Sequence, residues 1–461
     1  MGMSSEYDQL LDRAHYHASR FLHAVDQRHV GTRTTRDALM AALGGPLPEH
    51  CSEPADVIDA LAVAADPGIV AGTGPRYFGF VTGGSHPAAL GADWLVSAWD
   101  QNGALYVMSP AASVVEDIAA GWVLELLGLP RAASVGFVTG AHTANLAALA
   151  AARHDVLERV GWDVEAEGLQ HAPPVNVIVG AEAHVSIFAA LRLLGFGART
   201  VLRADADEQG RMRPDSLEAA LARCSGPTIV CAQAGHVATG AFDPLARIAP
   251  LARAYGAWLH VDGAFGLWAA AVPSLRHHVA GVELADSWAT DAHKWLNVPY
   301  DCGIVICARS DAHRAAMSQN ASYLSRGTDR QRDGTDWVPE SSRRARGVTV
   351  YATIRALGRG GVTAMVDRCC ALARRMADRL RSEPGIDVLN DVVLNQVLVR
   401  CGARTAGVIA RVQQEGVCWL GGTTWQGADA MRVSVSSWRT TEGDIDRSAE
   451  AIISAHRAVN G

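Results

Sequence analysis

Two stretches carry the residues best suited to chemistry. In WLHVDGAFG, a short apolar run from Trp258 to Val261 ends in Asp262, and the small residues Gly263 and Ala264 follow. In DSWATDAHKWLNVPYDCG, His293 and Lys294 stand side by side before Trp295, and Pro299 punctuates a turn. The first pattern reads as a buried strand with an acid at its end and room for a flat group to approach the backbone. The second places an amine in an apolar setting. A lysine is a useful nucleophile only when it is desolvated or otherwise lowered in pKa, as Schiff-base lysines are. A carboxylate is what keeps a pyridinium nitrogen protonated. Taken singly, Asp262 would cap a turn and Lys294 would be a solvated surface group. Together they suggest pyridoxal phosphate (PLP), with Asp262 at the ring nitrogen and Lys294 at the carbonyl.

These residues need a scaffold, and the pattern around them supplies one. Short apolar runs (SVGFV, NVIV, TVLR, TIVCA, WLHV, IVIC) alternate with helical stretches such as TGAHTANLAALAAARHDVLERV. Strands buried on both sides and joined by helical crossovers predict an α/β fold with a mostly parallel sheet. Ligands in such sheets bind beyond the carboxyl ends of the strands. The turn Thr139-Gly140-Ala141-His142-Thr143 lies between a strand and a helix start, where small residues and free N–H groups suit an anion. As a bare pattern it is also an ordinary turn. His184, after NVIV, would by itself more often be a satisfied structural group.

The flanks read differently. Residues 1–73 are predicted helical from DQLLDRAHYHASRFLHAV and PADVIDALAVAA, with Asp66-Pro67-Gly68 ending the latter. Beyond Cys307 the sheet pattern stops. The stretch MSQNASYLSRGTDRQRDGTDWVPESSRR, which holds Tyr323, reads as a mobile surface loop. After Gly361 the pattern is α+β.

Composition narrows the function. The chain has 461 residues, 49% hydrophobic and 19% charged, with net charge -7. That is ordinary for a soluble globular enzyme and too acidic overall to suggest nucleic-acid binding. The N-terminus lacks a signal-peptide core, and no apolar run is long enough to span a bilayer, so no membrane partner and a cytoplasmic location are expected. The 9 cysteines show no C-x-x-C pair, which favours buried thiols over disulfides or zinc, Cys369 and Cys370 included. His15 to His17 and the pair His277–His278 have no partners at metal-ligand spacing, so no metal is expected.

HVDGAFG and DAHKWLNVPYDCG resemble the motifs of the group II PLP-dependent amino-acid decarboxylases, which include the aromatic amino-acid, histidine and glutamate decarboxylases. The resemblance runs from about Pro75 to the C-terminus. It implies the aspartate-aminotransferase-like fold type I, divided into a helical segment at 1–73, a large PLP-binding domain at 74–338 and a small C-terminal domain at 339–461. It implies a homodimer with active sites shared across the interface, and an N-terminal segment wrapped against the partner subunit. Gly140, Ala141 and His142 match the phosphate loop, where His142 departs from the small hydroxyl or amide residue usual in the family. His184 matches a histidine stacked on the cofactor ring. His236 falls where relatives place Thr or Asn near the cofactor's phenolic oxygen. Asp262, Ala264, His293 and Lys294 complete the cofactor set. Phe80 and Thr82 are implied to border the substrate pocket, with Asn102 and Ala104 near the neighbouring subunit's site. A long helix from Ala111 to Leu127, entered at Ser109-Pro110, is implied as well. Tyr323 matches a proton donor on a catalytic loop, and one of Arg343 or Arg344 is implied in dimer or pocket structure.

The reaction implied is decarboxylation of an L-amino acid at the α-carbon, giving an amine and carbon dioxide. Other PLP reactions on the same scaffold remain open: oxygen-dependent aldehyde formation, aldol-type cleavage or transamination. A non-enzymatic PLP-binding role fits less well. The substrate's side chain is left open.

Overall fold

A computed structural model describes residues 4–319 and 331–461. Seven strands form one sheet: β1 (Ser134–Val138), β2 (Asn176–Gly180), β3 (Leu202–Ala204), β4 (Thr228–Gln233), β5 (Trp258–Asp262), β6 (Ser287–Asp291) and β7 (Gly303–Cys307). Their order is β1-β7-β6-β5-β4-β2-β3. The run from β3 to β6 is parallel, and β7 lies antiparallel between β6 and β1. The mostly parallel sheet expected from the apolar runs is present. The sequence pattern did not announce β6.

Register brings chemistry to one edge. Gln233 pairs with Asp262, Asp262 with Ala289, and Asp291 with Gly303, which also pairs with Val138. The carboxyl ends of β1, β4, β5 and β6 therefore lie side by side. Gly303 lets β7 begin against the backbone of Gly140, where a Cβ would collide.

Alternation along each strand divides the core between the two faces. Ile229, Cys231 and Trp258 join Ala144, Ala147, Ala148 and Ala151 of the helix Ala141–Glu158 on one side. Val230, Ala232, Leu259 and Val261 join the core on the other, with Val123 and Leu127 of the helix Pro110–Leu127. The alanines bring the helix Ala141–Glu158 close to the sheet, so its first turn sits over the strand ends. The helix Pro110–Leu127 starts as expected, with Ser109 accepting the Ala112 N–H and proline in its first turn.

A second sheet, all antiparallel, holds β8 (Asp387–Val388), β9 (Gln396–Arg400), β10 (Gly421–Trp425) and β11 (Ala428–Ser434) in the order β10-β11-β9-β8. Gln426 and Gly427, both at positive φ, close the β10–β11 hairpin in two residues. The helices Thr405–Glu415 and Glu442–Asn460 accompany it.

The N-terminal stretch is helical, as predicted: Ser4–Ala24, Arg36–Leu43 and Pro54–Ala65, with a single turn at Asp66–Gly68 ending the last. His17 and Arg13 both reach Asp59, at 2.7 and 3.1 Å, joining the first helix to the third. The loop expected after Cys307 needs correction where it is described. Asp333, Thr335 and Asp336 are buried, and the Asp336 carboxylate accepts from Arg314 and Ser318. The composition looked solvated because these acids are spent on internal partners.

Candidate active site

Lys294 is the only lysine in the chain; the other 40 of the 41 cationic Lys and Arg residues are arginine. Its Nζ lies 2.8 Å from Asp291 Oδ2, at the end of β6. The other oxygen of Asp291 accepts the N–H of Ala141, the first residue of the helix Ala141–Glu158, at 2.6 Å. His293 Nδ1 accepts the Cys302 N–H at 3.1 Å, so the ring proton sits on Nε2, 3.5 Å from Asp291 Oδ1. Burial pushes the His293 pKa down, which keeps the ring neutral. A Cβ on Gly140 would stand 3.3 Å from the His293 ring. The predicted residues Gly140, Ala141, His293 and Lys294 thus meet around one small cradle. The His142 side chain faces solvent.

Asp262 closes β5 beside it. It is buried, and it accepts hydrogen bonds from Asn145 Nδ2 and the Ala264 N–H, each at 3.2 Å. Burial pushes its pKa up, while His184, Lys294 and the two hydrogen bonds pull it back. His184 caps the helix Val185–Leu193. Its Nδ1 accepts the Ser186 N–H, and its own N–H is held by Gln233 Oε1 at 3.2 Å. Burial is the main force lowering its pKa; the positive charges of Lys294 and Arg432 add to this, and Asp262 opposes it. His236 is buried and turned onto its own loop, where Nδ1 accepts the N–H groups of Ala238 and Thr239. Its ring packs 5.3 Å from Trp425, and burial lowers its pKa to about 4.

The aromatic segment borders Lys294 through its backbone: a Cβ on Gly83 would strike the Lys294 carbonyl. Thr82 Oγ1 lies 3.5 Å from the Tyr300 hydroxyl, and the Tyr300 ring lies 4.5 Å from His293. Phe80 is exposed and rests 5.5 Å from Trp419, which stacks on Tyr77 at 5.0 Å. Asn102 and Ala104 are placed elsewhere within this chain. Asn102 Oδ1 accepts the N–H groups of Ala104 and Arg343, and Asn102 bridges to Arg344. The two arginines now separate. Arg343 makes a buried two-point pair with Glu116 at 2.7 and 2.8 Å, whereas Arg344 meets Asp93 at the surface. Tyr323 lies outside the described residues.

Sequence reasoning missed Asp291, Asn145, His260, Tyr300, Trp419 and Arg432. Asp291 was legible, three residues before Lys294. His260 was legible too, two before Asp262 and so on the same face of β5. Trp419 and Arg432 come from the second sheet region and carry no local signal.

The arrangement fits PLP. Asp262 is a buried carboxylate whose hydrogen bonds, among the described residues, come from uncharged donors, which leaves it suited to a cationic ring N–H. The cradle offers His293 Nε2–H to a phosphate at the start of the helix Ala141–Glu158, where the Ala141 N–H is held by Asp291, and the chain's single amine stands beside it. Among the described residues no group of three or more His, Cys, Asp or Glu is placed to hold a metal. No described helix is long and apolar enough to cross a membrane.

Comparison with known proteins agrees. Residues 38–401 match the pyridoxal-dependent decarboxylase conserved domain. The chain therefore belongs to the PLP-dependent decarboxylase family, and PLP is its cofactor. It is 31% identical over 380 residues to L-2,4-diaminobutyrate decarboxylase of Rhizobium meliloti (strain 1021), covering 79% of this chain and 74% of that one. It is 26% identical over 420 residues to phenylacetaldehyde synthase of Arabidopsis thaliana, covering 86% and 84%. Its fold matches a solved structure of Oryza sativa TDC with PLP and tryptamine, with TM-score 0.92 and 24% identity over 99% of both chains. Fold type I, implied by the motifs, is the fold found.

Proposed function

We propose that this enzyme removes the α-carboxylate of an L-amino acid as carbon dioxide and returns the amine, with Lys294, Asp262, His184 and Tyr323 as its working residues. One observation carries the reading. The only lysine of the chain sits three residues past the end of β6, the strand beside the one that ends in the buried Asp262. Arginine serves as a cation everywhere else, but it cannot act as an amine nucleophile at accessible pH.

Bound PLP supplies an electron sink for the pair left behind when the carboxylate departs. Asp262 holds the proton on the ring nitrogen. His293 would donate to the phosphate beside the turn at Gly140 and Ala141, and Gly140 and Ala264 would leave room for it and for the ring. Lys294 holds the cofactor between turnovers and yields it to the substrate's amine. His184, kept neutral by burial, lies within electrostatic reach of both Asp262 and Lys294. Phe80 and Thr82 border the space for the substrate's side chain. Tyr323 returns a proton to the α-carbon.

The working unit in this reading is a homodimer, with Asn102, Ala104 and the Tyr323 loop serving the partner's site. Support comes from the exposed apolar side chains of the N-terminal helices, among them Tyr7, Leu11, Leu61 and Val63, and from Trp94, Leu95 and Trp99 of the helix Pro87–Trp99. A cytoplasmic setting agrees with nine unpaired cysteines, most of them buried.

A second reading, oxygen-dependent aldehyde formation, is favoured by the phenylacetaldehyde synthase match over most of both chains. Purified enzyme should be screened against L-amino acids by mass spectrometry. Amine with carbon dioxide supports the first reading; aldehyde with ammonia and peroxide supports the second.

A further inference from the structure

A chain of polar side chains lies beneath Asp262. Trp258, His260 and Asp262 alternate onto the face of β5 that meets the helix Ala141–Glu158. Trp258 Nε1 donates to Ser287 Oγ at 2.9 Å. Ser287 Oγ lies 2.9 Å from His260 Nδ1, and His260 Nε2 lies 2.9 Å from Asn145 Oδ1. Asn145 Nδ2 then reaches Asp262 Oδ2 at 3.2 Å. Trp258, Ser287, His260 and Asn145 are all fully buried.

The proton positions in this chain follow from its chemistry. Reversing the Asn145 amide would set its carbonyl oxygen against a carboxylate, so the NH2 group faces Asp262. Asn145 Oδ1 accepts only, so His260 Nε2 carries the proton. Burial lowers the His260 pKa to about 3, which keeps the ring neutral and makes Nδ1 an acceptor. Ser287 therefore donates its hydroxyl proton to His260 while accepting from Trp258. Every donor points toward Asp262.

We infer that His260 is a positioning residue for the cofactor's ring nitrogen: it locks Asn145 so that an N–H, and never a carbonyl oxygen, faces Asp262. This rests on the reading of Asp262 as the partner of that nitrogen. A donor aimed at a carboxylate stabilises its charged form and makes it a weaker base. Burial acts on Asp262 in the opposite sense. With the amide locked, the shared proton stays on the ring. With the amide free, it moves toward Asp262 and the ring becomes a poorer electron sink. No proton travels along the chain; its role is orientation.

The test uses holoenzyme loaded with PLP labelled with 15N in the ring. The wild-type resonance is expected in the protonated range. His260→Leu removes the donor to Asn145 and should move the resonance toward the unprotonated position, with cofactor retention about tenfold weaker. His260→Gln places an amide N–H near the former Nε2 and should keep the wild-type resonance. A wild-type resonance in His260→Leu overturns the inference, as does an equal loss of melting temperature in both variants with no 15N difference between them. An unprotonated ring in the wild type overturns the Asp262 role itself, and this inference with it.

Discussion

Lys294 Nζ and Asp291 Oδ2 stand 2.8 Å apart, and the same carboxylate accepts the Ala141 N–H that opens the helix over the cradle. One side chain thus joins the reactive amine to the anion-binding turn. The Asp291 side chain is 3% exposed and that of Lys294 21%, so solvent screens the pair only in part. Asp291→Asn keeps an acceptor for Ala141 but leaves the Lys294 ammonium without its counter-charge. We expect the cofactor-free protein to lose about 2 kcal/mol, less than a fully buried broken pair would cost because Lys294 reaches solvent. Adding Lys294→Met should recover part of that loss. Urea unfolding of the two single variants and the double gives the coupling, and strictly additive effects would show that the pair does not interact.

Lys294 should be the one side chain that retains the cofactor covalently. Borohydride treatment of the holoenzyme is expected to fix a pyridoxyl group on the peptide containing Lys294, read by mass spectrometry. Lys294→Arg keeps the positive charge and should take up no label. Because the chain has no other lysine, an unlabelled wild-type protein would dismiss the assignment outright.

Asp262→Ala is expected to reduce turnover by about a thousandfold, the equivalent of roughly 4 kcal/mol in the barrier. The circular dichroism spectrum should stay close to wild type, since β5 keeps its apolar residues Leu259 and Val261 in the core. Turnover within a few-fold of wild type would remove Asp262 from the mechanism.

Much of this site was readable before any coordinates. The period of the apolar runs gave the sheet, and strand ends in such sheets are where ligands sit; Asp262 and the turn at Gly140 were both read as lying at strand ends, and they end β5 and follow β1. β6 was not readable, and the reason lies in the site itself. Its sequence is SWATD, yet all five residues are buried. Ser287 serves Trp258 and His260, Thr290 donates to the Ala264 carbonyl, and Asp291 holds Lys294. A strand whose polar residues are satisfied internally does not look apolar. Trp419 and Arg432 were hidden for a different cause: they approach from the second sheet region, and nothing local in their sequence reports a partner so far away along the chain.

The pH dependence of stability should show His313. It is fully buried, its Nδ1 is 2.8 Å from Ser134 Oγ, and burial lowers its pKa to about 3. The unfolded chain would hold this ring at about 6.5. Between those values the unfolded state binds the extra proton, so stability rises with pH through that window and falls as acid is added. His313→Gln should remove up to about 1.4 kcal/mol of that dependence per pH unit below pH 6. Unfolding free energies of both proteins from pH 7 to pH 4 give the comparison, and parallel curves would show that His313 does not titrate as its burial requires.

Tyr323 precedes a charged, glycine-containing stretch, and the proposal makes it the proton donor. Once carbon dioxide has left, the α-carbon carries excess electron density and must take a proton to become an amine. A phenol near that carbon can supply it, and phenylalanine keeps the ring's shape without the proton. Tyr323→Phe is therefore expected to bind PLP normally, lose most amine formation, and let oxygen capture part of the flux as aldehyde with ammonia and peroxide. The reading also places the loop in the partner's site. Mixing Lys294→Ala protomers with Tyr323→Phe protomers should then restore part of the activity, because one of the two hybrid sites holds both wild-type residues. Subunit exchange is verified first, with differently tagged chains that co-purify. Rescue after verified exchange supports a site completed in trans. Exchange without rescue places the loop in its own subunit, and unchanged amine production by Tyr323→Phe alone removes Tyr323 as the donor.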